Sequence, residues 1–262
     1  MNDEIFKRLY KKLNLIDKNG KILPLHKKCP NCEKCWENAK DRMPKKSHDF
    51  WTITRPWIGK NYEQTKLLVI GENMNEYGSY DGAINLVNWA REDIKKGRIK
   101  TLKKPSYSGT FLFHRLASYS TAILSKEDDY QYANFDVWPS AIDNNKSFDY
   151  LSYTNQIKCS PIGQKSEQPQ QMWDNCGDYI LKHEIEILKP KSILILGTSD
   201  NYKYFNSFIP DESINIDWER NIGTGFANIK GRQTKIYVVP HPASFGGNKK
   251  QIMTDIKKHL DK

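Results

Sequence analysis

The apolar run KLLVIG, at residues 66–71, indicates the class of fold to which this chain belongs. Its apolar residues follow one another without the alternation of a half-exposed strand, and it ends at a glycine. A short run of this kind is typical of a strand that is buried on both faces, as strands are in parallel sheets covered by helices. The stretch therefore predicts a protein of the α/β class.

Three further runs have the same character: LSYTNQI at 151–157, SILILG at 192–197 and KIYVVP at 235–240. Strands that alternate with helices predict an α/β/α arrangement, here a three-layer sandwich around a central four-stranded parallel sheet. The segments with helical spacing of apolar residues are 3–13 and about 83–96, 110–125, 169–188 and 248–260.

The domain organisation follows from the same pass along the chain. Residues 1–65 hold the first helix and, from residue 26, a polar segment that contains clustered cysteines. We expect this part to pack as an irregular segment on an α/β domain formed by residues 66–262. No internal repeat or low-complexity linker divides the chain, so we expect one structural unit.

Charge and hydropathy narrow the classes of function. The chain of 262 residues carries a formal net charge of +10, with a pI near 9.2. A basic surface suits a nucleic-acid partner, although a lysine-rich solvated surface would give the same number. No run reaches the roughly 20 apolar residues of a membrane helix, and the first residues lack a signal-peptide pattern. We therefore expect a cytoplasmic protein that does not bind membranes. We also expect a monomer.

Three of the five cysteines fall within seven residues, in CPNCEKC at 29–35. In a reducing compartment such a grouping predicts a metal or cluster site. A ferredoxin-like run would need a fourth cysteine just after Cys35, so we do not expect an electron carrier. Spacing alone does not separate a four-cysteine zinc site from an iron–sulfur cluster.

Polar residues follow each predicted strand, at the edge where α/β sheets bind ligands. They would bring two amides, a carboxylate and a histidine to one edge, although polar loop ends are common in any fold. In chain order they are Glu72 and Asn73 after Gly71, then Asn155 in the second strand, Thr198 and Ser199 after the third, and His241 after the fourth.

The order of these motifs resembles the uracil-DNA glycosylase superfamily, closest to its iron–sulfur branch, over about residues 30–262. The resemblance implies a uracil-DNA glycosylase-like fold and an enzyme that flips a base out of DNA and hydrolyses its N-glycosidic bond. The matching residues are Gly71-Glu72, Thr154-Asn155-Gln156-Ile157-Lys158-Cys159, Pro190 to Gly197 and His241-Pro242.

The resemblance also implies roles for single residues. His241 would stabilise the negative charge that develops on the departing base, and Asn73 would position the attacking water, with Glu72 as a possible carboxylate. Asn155 would read the Watson–Crick edge of the base beside Gly71. Tyr107 would stack on the base, with Phe111 as second choice. The residues expected to contact DNA are Phe245 as an inserted wedge, with Lys249, Lys250 and Ser199.

A [4Fe–4S] cluster is the cofactor that the resemblance implies, and zinc is the less expected alternative. The ligands would be Cys32, Cys35, Cys159 and Cys176, which leaves the role of Cys29 open.

The departures from the family pattern bear on the substrate. Asn73 stands where the iron–sulfur branch has alanine, Met74 where the family has proline, and Ala243 where it has serine. Two insertions, before Tyr107 and over 127–149, would border the base pocket. The resemblance implies uracil or a related modified pyrimidine as the base. The alternatives are a hypermodified phage base (hydroxymethylcytosine or its glucoside) removed in anti-phage defence, or a protein that binds DNA or a nucleotide without catalysis.

Overall fold

The computed structural model describes residues 3–23, 29–31, 53–71, 80–96, 116, 119–121, 123–124, 145–158, 170–197, 214–219 and 222–240. These residues form a mixed α/β fold built on one seven-stranded sheet. The strands are β1 (Trp57–Ile58), β2 (Leu67–Gly71), β3 (Leu151–Asn155), β4 (Ser192–Leu196), β5 (Ile214–Glu219), β6 (Ile222–Ile229) and β7 (Arg232–Val239).

The helix at Asp3–Lys12 precedes the first strand, and the other helices lie between strands. Apart from the short helix at Tyr62–Thr65, which falls in the segment expected to be irregular, they lie close to where the sequence predicts them. Among the described residues of 116–124, all are helical, within the third predicted helix. The last predicted helix, 248–260, lies outside the described residues. The bounds are α1 (Asp3–Lys12), α2 (Tyr62–Thr65), α3 (Gly82–Lys95), α4 (Gln170–Cys176), a π-helical turn (Gly177–Leu181) and α5 (Lys182–Leu188).

The four strands that the sequence predicts are neighbours in the sheet, in the order β3-β2-β4-β7, and each neighbouring pair is parallel. These four parallel strands are the centre of the sheet and not the whole of it, however. β1 pairs antiparallel with β3 at one edge, and β5 and β6 extend the other edge with antiparallel pairing. The sheet is therefore mixed and wider than predicted.

The added strands were missed for local reasons. β1 has only two residues and falls in the segment expected to be irregular. β6 contains Gly223 and Gly225, and glycine weakens a strand pattern. The structure shows a tight turn between β6 and β7, where Lys230 and Gly231 have φ of 50° and 77°. Two consecutive positive φ values are typical of the turns that close a two-residue β-hairpin.

Alternating residues of the central strands enter two separate apolar cores, one on each face of the sheet. Leu68, Ile70, Ile193 and Ile195 pack on the face covered by α1, α4 and α5, which we call the α1 face. Leu67, Val69, Leu194 and Leu196 pack on the face covered by α3 and residues of 116–124, which we call the α3 face. Burial on both faces explains why these strands read as unbroken apolar runs.

The strand order places a switch point in the middle of the sheet. After β2 the chain adds β3 on one side of that strand, and β4 then pairs on its other side. In open α/β sheets, ligands bind in the crevice beyond the carboxyl ends of the strands where the order reverses. The candidate crevice therefore lies beyond Gly71 of β2 and Leu196 of β4, next to the end of β3.

Across the described ranges, no helix combines the length and apolar character needed to cross a membrane.

Candidate functional site

Asn155 is the last residue of β3, and its side chain points to the α3 face at the carboxyl edge of the sheet. It is only 1% exposed. Its Oδ1 accepts a hydrogen bond of 2.8 Å from the hydroxyl of Tyr153. Its Nδ2 has no hydrogen-bond partner within the described part of the chain. Because buried polar groups are nearly always satisfied, an amide donor in this position is suited to an incoming acceptor.

Gly71 lies directly opposite Asn155 in the parallel pairing of β2 and β3. A Cβ atom at this position would lie 2.6 Å from the Tyr153 Oη and 2.7 Å from the Asn155 Oδ1. Both distances are well inside van der Waals contact, so any side chain at residue 71 would displace the pair. The backbone N–H of Gln156 donates to the Gly71 carbonyl at 2.9 Å and fixes the two strand ends together.

A buried ion pair lies on the opposite, α1 face of the same strand end. Lys158 Nζ is 2.8 Å from Glu184 Oε2, and the two side chains are 1% and 0% exposed. Thr154 Oγ1 donates to the same carboxylate oxygen at 3.0 Å, and the Tyr10 hydroxyl donates to Glu184 Oε1 at 2.6 Å. Both carboxylate oxygens are thus hydrogen-bonded, as a buried charge requires.

The network joins three elements. Glu184 is on α5, Tyr10 is on α1, and Lys158 follows β3 immediately before Cys159. Burial, and secondarily the charge of Glu184, raises the pKa of Tyr10 well above its usual value. The residues that lead out of β3 are therefore anchored on both faces, by the ion pair on one and by the Tyr153–Asn155 hydrogen bond on the other.

Arg55 forms a third anchor near this edge. Its Nε and one terminal nitrogen lie 2.6 Å from an Asp81 oxygen and 2.7 Å from an Asp3 oxygen. Its guanidinium also lies over the ring of Tyr80, 5.3 Å from the centroid. No sequence pattern singles out Arg55, because its partners are 52 and 26 residues away. It ties the start of α3 to the start of α1.

A cavity of about 130 Å³ lies beside this cluster, and its lining includes Asp3, Arg55, Trp57 and Ile84. Neither Gly71 nor Asn155 lines it. The charged groups that border it are already paired with one another. We therefore assign this cavity no part in the candidate site.

Two of the five cysteines belong to the described residues. Cys176 ends α4, just before the π-helical turn, and is buried in the core of the α1 face. Cys29 is half-buried against the same core, and its charge adds to burial in raising the pKa of Tyr179. Considering the described residues alone, no three His, Cys, Asp or Glu side chains are grouped to hold a metal ion. Cys32, Cys35 and Cys159 lie outside them.

The structure thus describes three of the predicted site residues: Gly71, Asn155 and Cys176. It brings Gly71 and Asn155 together, on the α3 side of the sheet edge, while Cys176 lies in the opposite core. Tyr153 was missed as a site residue because it occupies an ordinary apolar position of a strand. The predicted residues outside the described ranges are Glu72, Asn73, Tyr107, Phe111, Ser199, His241, Phe245, Lys249 and Lys250.

No protein-family model matches the chain, and no curated protein is similar to it in sequence.

Proposed function

We propose that this protein is a DNA glycosylase that binds a flipped pyrimidine, uracil or a related modified base, and hydrolyses its N-glycosidic bond. The observation that carries the proposal is the buried amide of Asn155. Its Nδ2 lies at the carboxyl edge of the sheet without a partner in the described structure. A flipped base offers hydrogen-bonding groups on its Watson–Crick edge, and such a donor can pair with one of them.

The position of this amide supports the proposal. Asn155 and Gly71 lie beside the switch point of the strand order, where α/β folds bind their ligands. The same edge receives the chain leaving β2 toward Glu72 and Asn73, and the chain leaving β7 toward His241. β4 separates β2 from β7, so their ends lie about 10 Å apart, two interstrand spacings. A single base with groups on either side of its glycosidic bond fits that separation.

In this mechanism, His241 donates a hydrogen bond to a ring carbonyl of the base as negative charge develops there. Asn73 orients the water that attacks the sugar, and an amide does this without acting as a strong base. Glu72 is the carboxylate available to receive the proton of that water. Asn155 holds the base edge, and Tyr107 stacks on the ring.

DNA is the proposed partner. The net charge of +10 favours contact with phosphates. Phe245 would fill the gap that the flipped nucleotide leaves, while Lys249, Lys250 and Ser199 would contact the backbone. Base–amino-acid contacts of this kind require the enzyme to unstack the target, which is least costly in a mismatch or in single-stranded DNA.

We also propose that Cys32, Cys35, Cys159 and Cys176 hold a [4Fe–4S] cluster, which would brace the fold. The burial of Cys176 in the α1-face core fits a thiolate shielded from solvent. The base-binding amide lies on the other face of the sheet. No step of base removal is assigned to the cluster.

The test is a base-excision assay on oligonucleotides that carry uracil, hypoxanthine, hydroxymethylcytosine or glucosylated hydroxymethylcytosine. Alkali after incubation converts each abasic site into a strand break. We expect breaks at uracil or a related pyrimidine with the wild-type protein, and none with His241→Ala. Tight binding of all four oligonucleotides without any break would favour a non-catalytic DNA-binding protein instead. Breaks confined to the hydroxymethylcytosine substrates would move the function to the removal of phage bases.

A further inference from the structure

We propose that Tyr153 is a positioning residue that fixes the orientation of the Asn155 side-chain amide, so that the site accepts a base with a carbonyl rather than an amino group at the contacted position. This inference rests on the proposed function for its ligand, a pyrimidine base. The selection between pyrimidines would then depend on Tyr153, which lies outside the strand-end polar residues.

The geometry is that of two side chains on one face of one strand. Residues two apart in a strand point the same way, and Tyr153 and Asn155 both point to the α3 face. The tyrosine hydroxyl lies 2.8 Å from Oδ1 of the amide, and both residues are buried. Gly71 leaves the space in which this pair meets, because a Cβ there would contact both oxygens below 3 Å.

An amide alone has two nearly equivalent orientations, since its oxygen accepts hydrogen bonds and its nitrogen donates two. The Tyr153 hydroxyl makes one of these two orientations lower in energy than the other. A phenol donates more readily than it accepts, because its oxygen lone pair is conjugated with the ring. The hydroxyl therefore holds Oδ1 toward itself, and a rotated amide would exchange this hydrogen bond for a weaker one in which the phenol oxygen accepts.

The consequence is that the group offered to a ligand is the donor Nδ2. A pyrimidine with a 4-carbonyl presents an acceptor to it, whereas a 4-amino pyrimidine presents a second donor. Two opposed buried donors leave both unsatisfied, so the amino base is disfavoured. Discrimination by one well-placed pair of this kind is roughly 10- to 100-fold.

The binding test uses oligonucleotides with a single 2′-fluoroarabino-uridine or 2′-fluoroarabino-cytidine, which resist hydrolysis. The measured quantity is the ratio of the two dissociation constants. We expect Tyr153→Phe to reduce the wild-type preference for uridine by about tenfold, because the amide is then free to rotate. Ser152→Ala is the matched control. Ser152 lies on the same strand as Tyr153 but points to the other face of the sheet, where its hydroxyl donates to the Trp57 carbonyl at 2.7 Å. This variant should leave the ratio unchanged. A ratio that Tyr153→Phe leaves within twofold of wild type would overturn the proposal.

A second measurement tests the amide alone and needs no DNA. The side-chain NH₂ resonances of Asn155, assigned by their loss in Asn155→Asp, are followed by ¹⁵N NMR. Tyr153→Phe should shift them and accelerate their hydrogen exchange, whereas Ser152→Ala should not. If both variants leave the resonances in place, Tyr153 does not hold the amide. If the wild-type protein binds neither oligonucleotide although Tyr153→Phe shifts the Asn155 resonances, the proposed function is contradicted. The orientation of the Asn155 amide by Tyr153 is then still supported.

Discussion

Gly71 and Asn155 lie opposite each other at the ends of two parallel strands, and the absence of a side chain at Gly71 is what lets the Asn155 amide meet the Tyr153 hydroxyl. The glycine is needed here for close approach and not for an unusual backbone angle. This relationship gives the base-binding hypothesis a specific steric requirement.

Gly71→Ala tests that requirement. The new Cβ would lie 2.7 Å from the Asn155 Oδ1, so the amide must move. We expect base-excision activity to fall at least tenfold, and stability to fall by about 1–3 kcal/mol through overpacking. Activity would be measured on the best oligonucleotide and stability by urea unfolding.

Gly59→Ala is the control for that variant. Its Cβ would collide with backbone atoms of Phe148 and Asp149 at the opposite end of the sheet. It should destabilise the protein, while the molecules that remain folded keep their preference among bases. Full activity of Gly71→Ala would contradict the placement of the amide in the site.

Removing one partner of the buried ion pair between Lys158 and Glu184 should lower the free energy of unfolding substantially. Lys158→Met leaves the Glu184 carboxylate buried without its cation, which costs about 3–5 kcal/mol. The double variant Lys158→Met, Glu184→Gln should regain part of that loss, because no charge is then buried. Chemical unfolding followed by circular dichroism measures both.

The exposed pair Lys182–Asp178 provides the comparison for this prediction, with N–O separation of 2.5 Å. Lys182→Met should change stability by less than about 1 kcal/mol, because solvent screens surface pairs. Equal effects at the two lysines would show that the Lys158 pair is not buried.

Stability should fall at alkaline pH because buried tyrosines must stay neutral in the folded state. Burial is the main cause that raises the pKa of Tyr10 and of Tyr62. Above about pH 10 these tyrosines ionise in the unfolded chain but not in the folded one, so the folded state binds more protons. The contribution of these neutral tyrosines to the free energy of unfolding is fully present below about pH 10. It decreases as the pH rises further, by about 1 kcal/mol per pH unit for each tyrosine.

Tyr62→Phe isolates one such group. The Tyr62 hydroxyl donates to the Leu188 carbonyl at 3.1 Å, and its removal should flatten the alkaline slope by about 1 kcal/mol per pH unit. Urea unfolding at several values between pH 9 and pH 11.5 would measure it. An unchanged slope would mean that Tyr62 ionises equally in both states.

Substitution of single cysteines should distinguish the proposed cluster ligands from Cys29, which is not a proposed ligand. Cys176→Ala and Cys32→Ala should lose iron and visible absorbance, since each removes one of four proposed thiolates. Cys29→Ala is the matched variant from the same cysteine cluster and should retain about four irons per chain. Iron and zinc are quantified by elemental analysis. If the wild-type protein contains one zinc ion per chain and no iron, the proposed cluster is contradicted and the four cysteines form a zinc site.

The sequence predicts the centre of this fold well and its edges poorly. The runs that became β2 and β4 are unbroken apolar stretches because both faces are covered, and that signal is local. β6 carries two glycines and β1 has two residues, so only pairing with neighbours makes them strands. Such pairing depends on strands elsewhere in the chain, so the local sequence of β1 or β6 does not predict it.

The candidate site divides in the same way. Asn155 and Gly71 could be singled out because they lie in or at the end of short strand-like runs and match motifs of the family that the sequence resembles. Tyr153 could not, since its role depends on the space that a residue of another strand leaves open. Glu184 likewise read as one charge on a helix, and only the fold brings it to Lys158.

The most direct test of the central claim is release of a free base. Wild-type protein and Asn155→Ala would be incubated with uracil-containing and modified-pyrimidine oligonucleotides, and the small-molecule fraction would be analysed by mass spectrometry. We expect free uracil or a related pyrimidine from the wild type, in an amount equal to the abasic sites formed, and at least tenfold less from the variant. Absence of any free base from the folded, cofactor-loaded wild type, or equal release by Asn155→Ala, would contradict that claim.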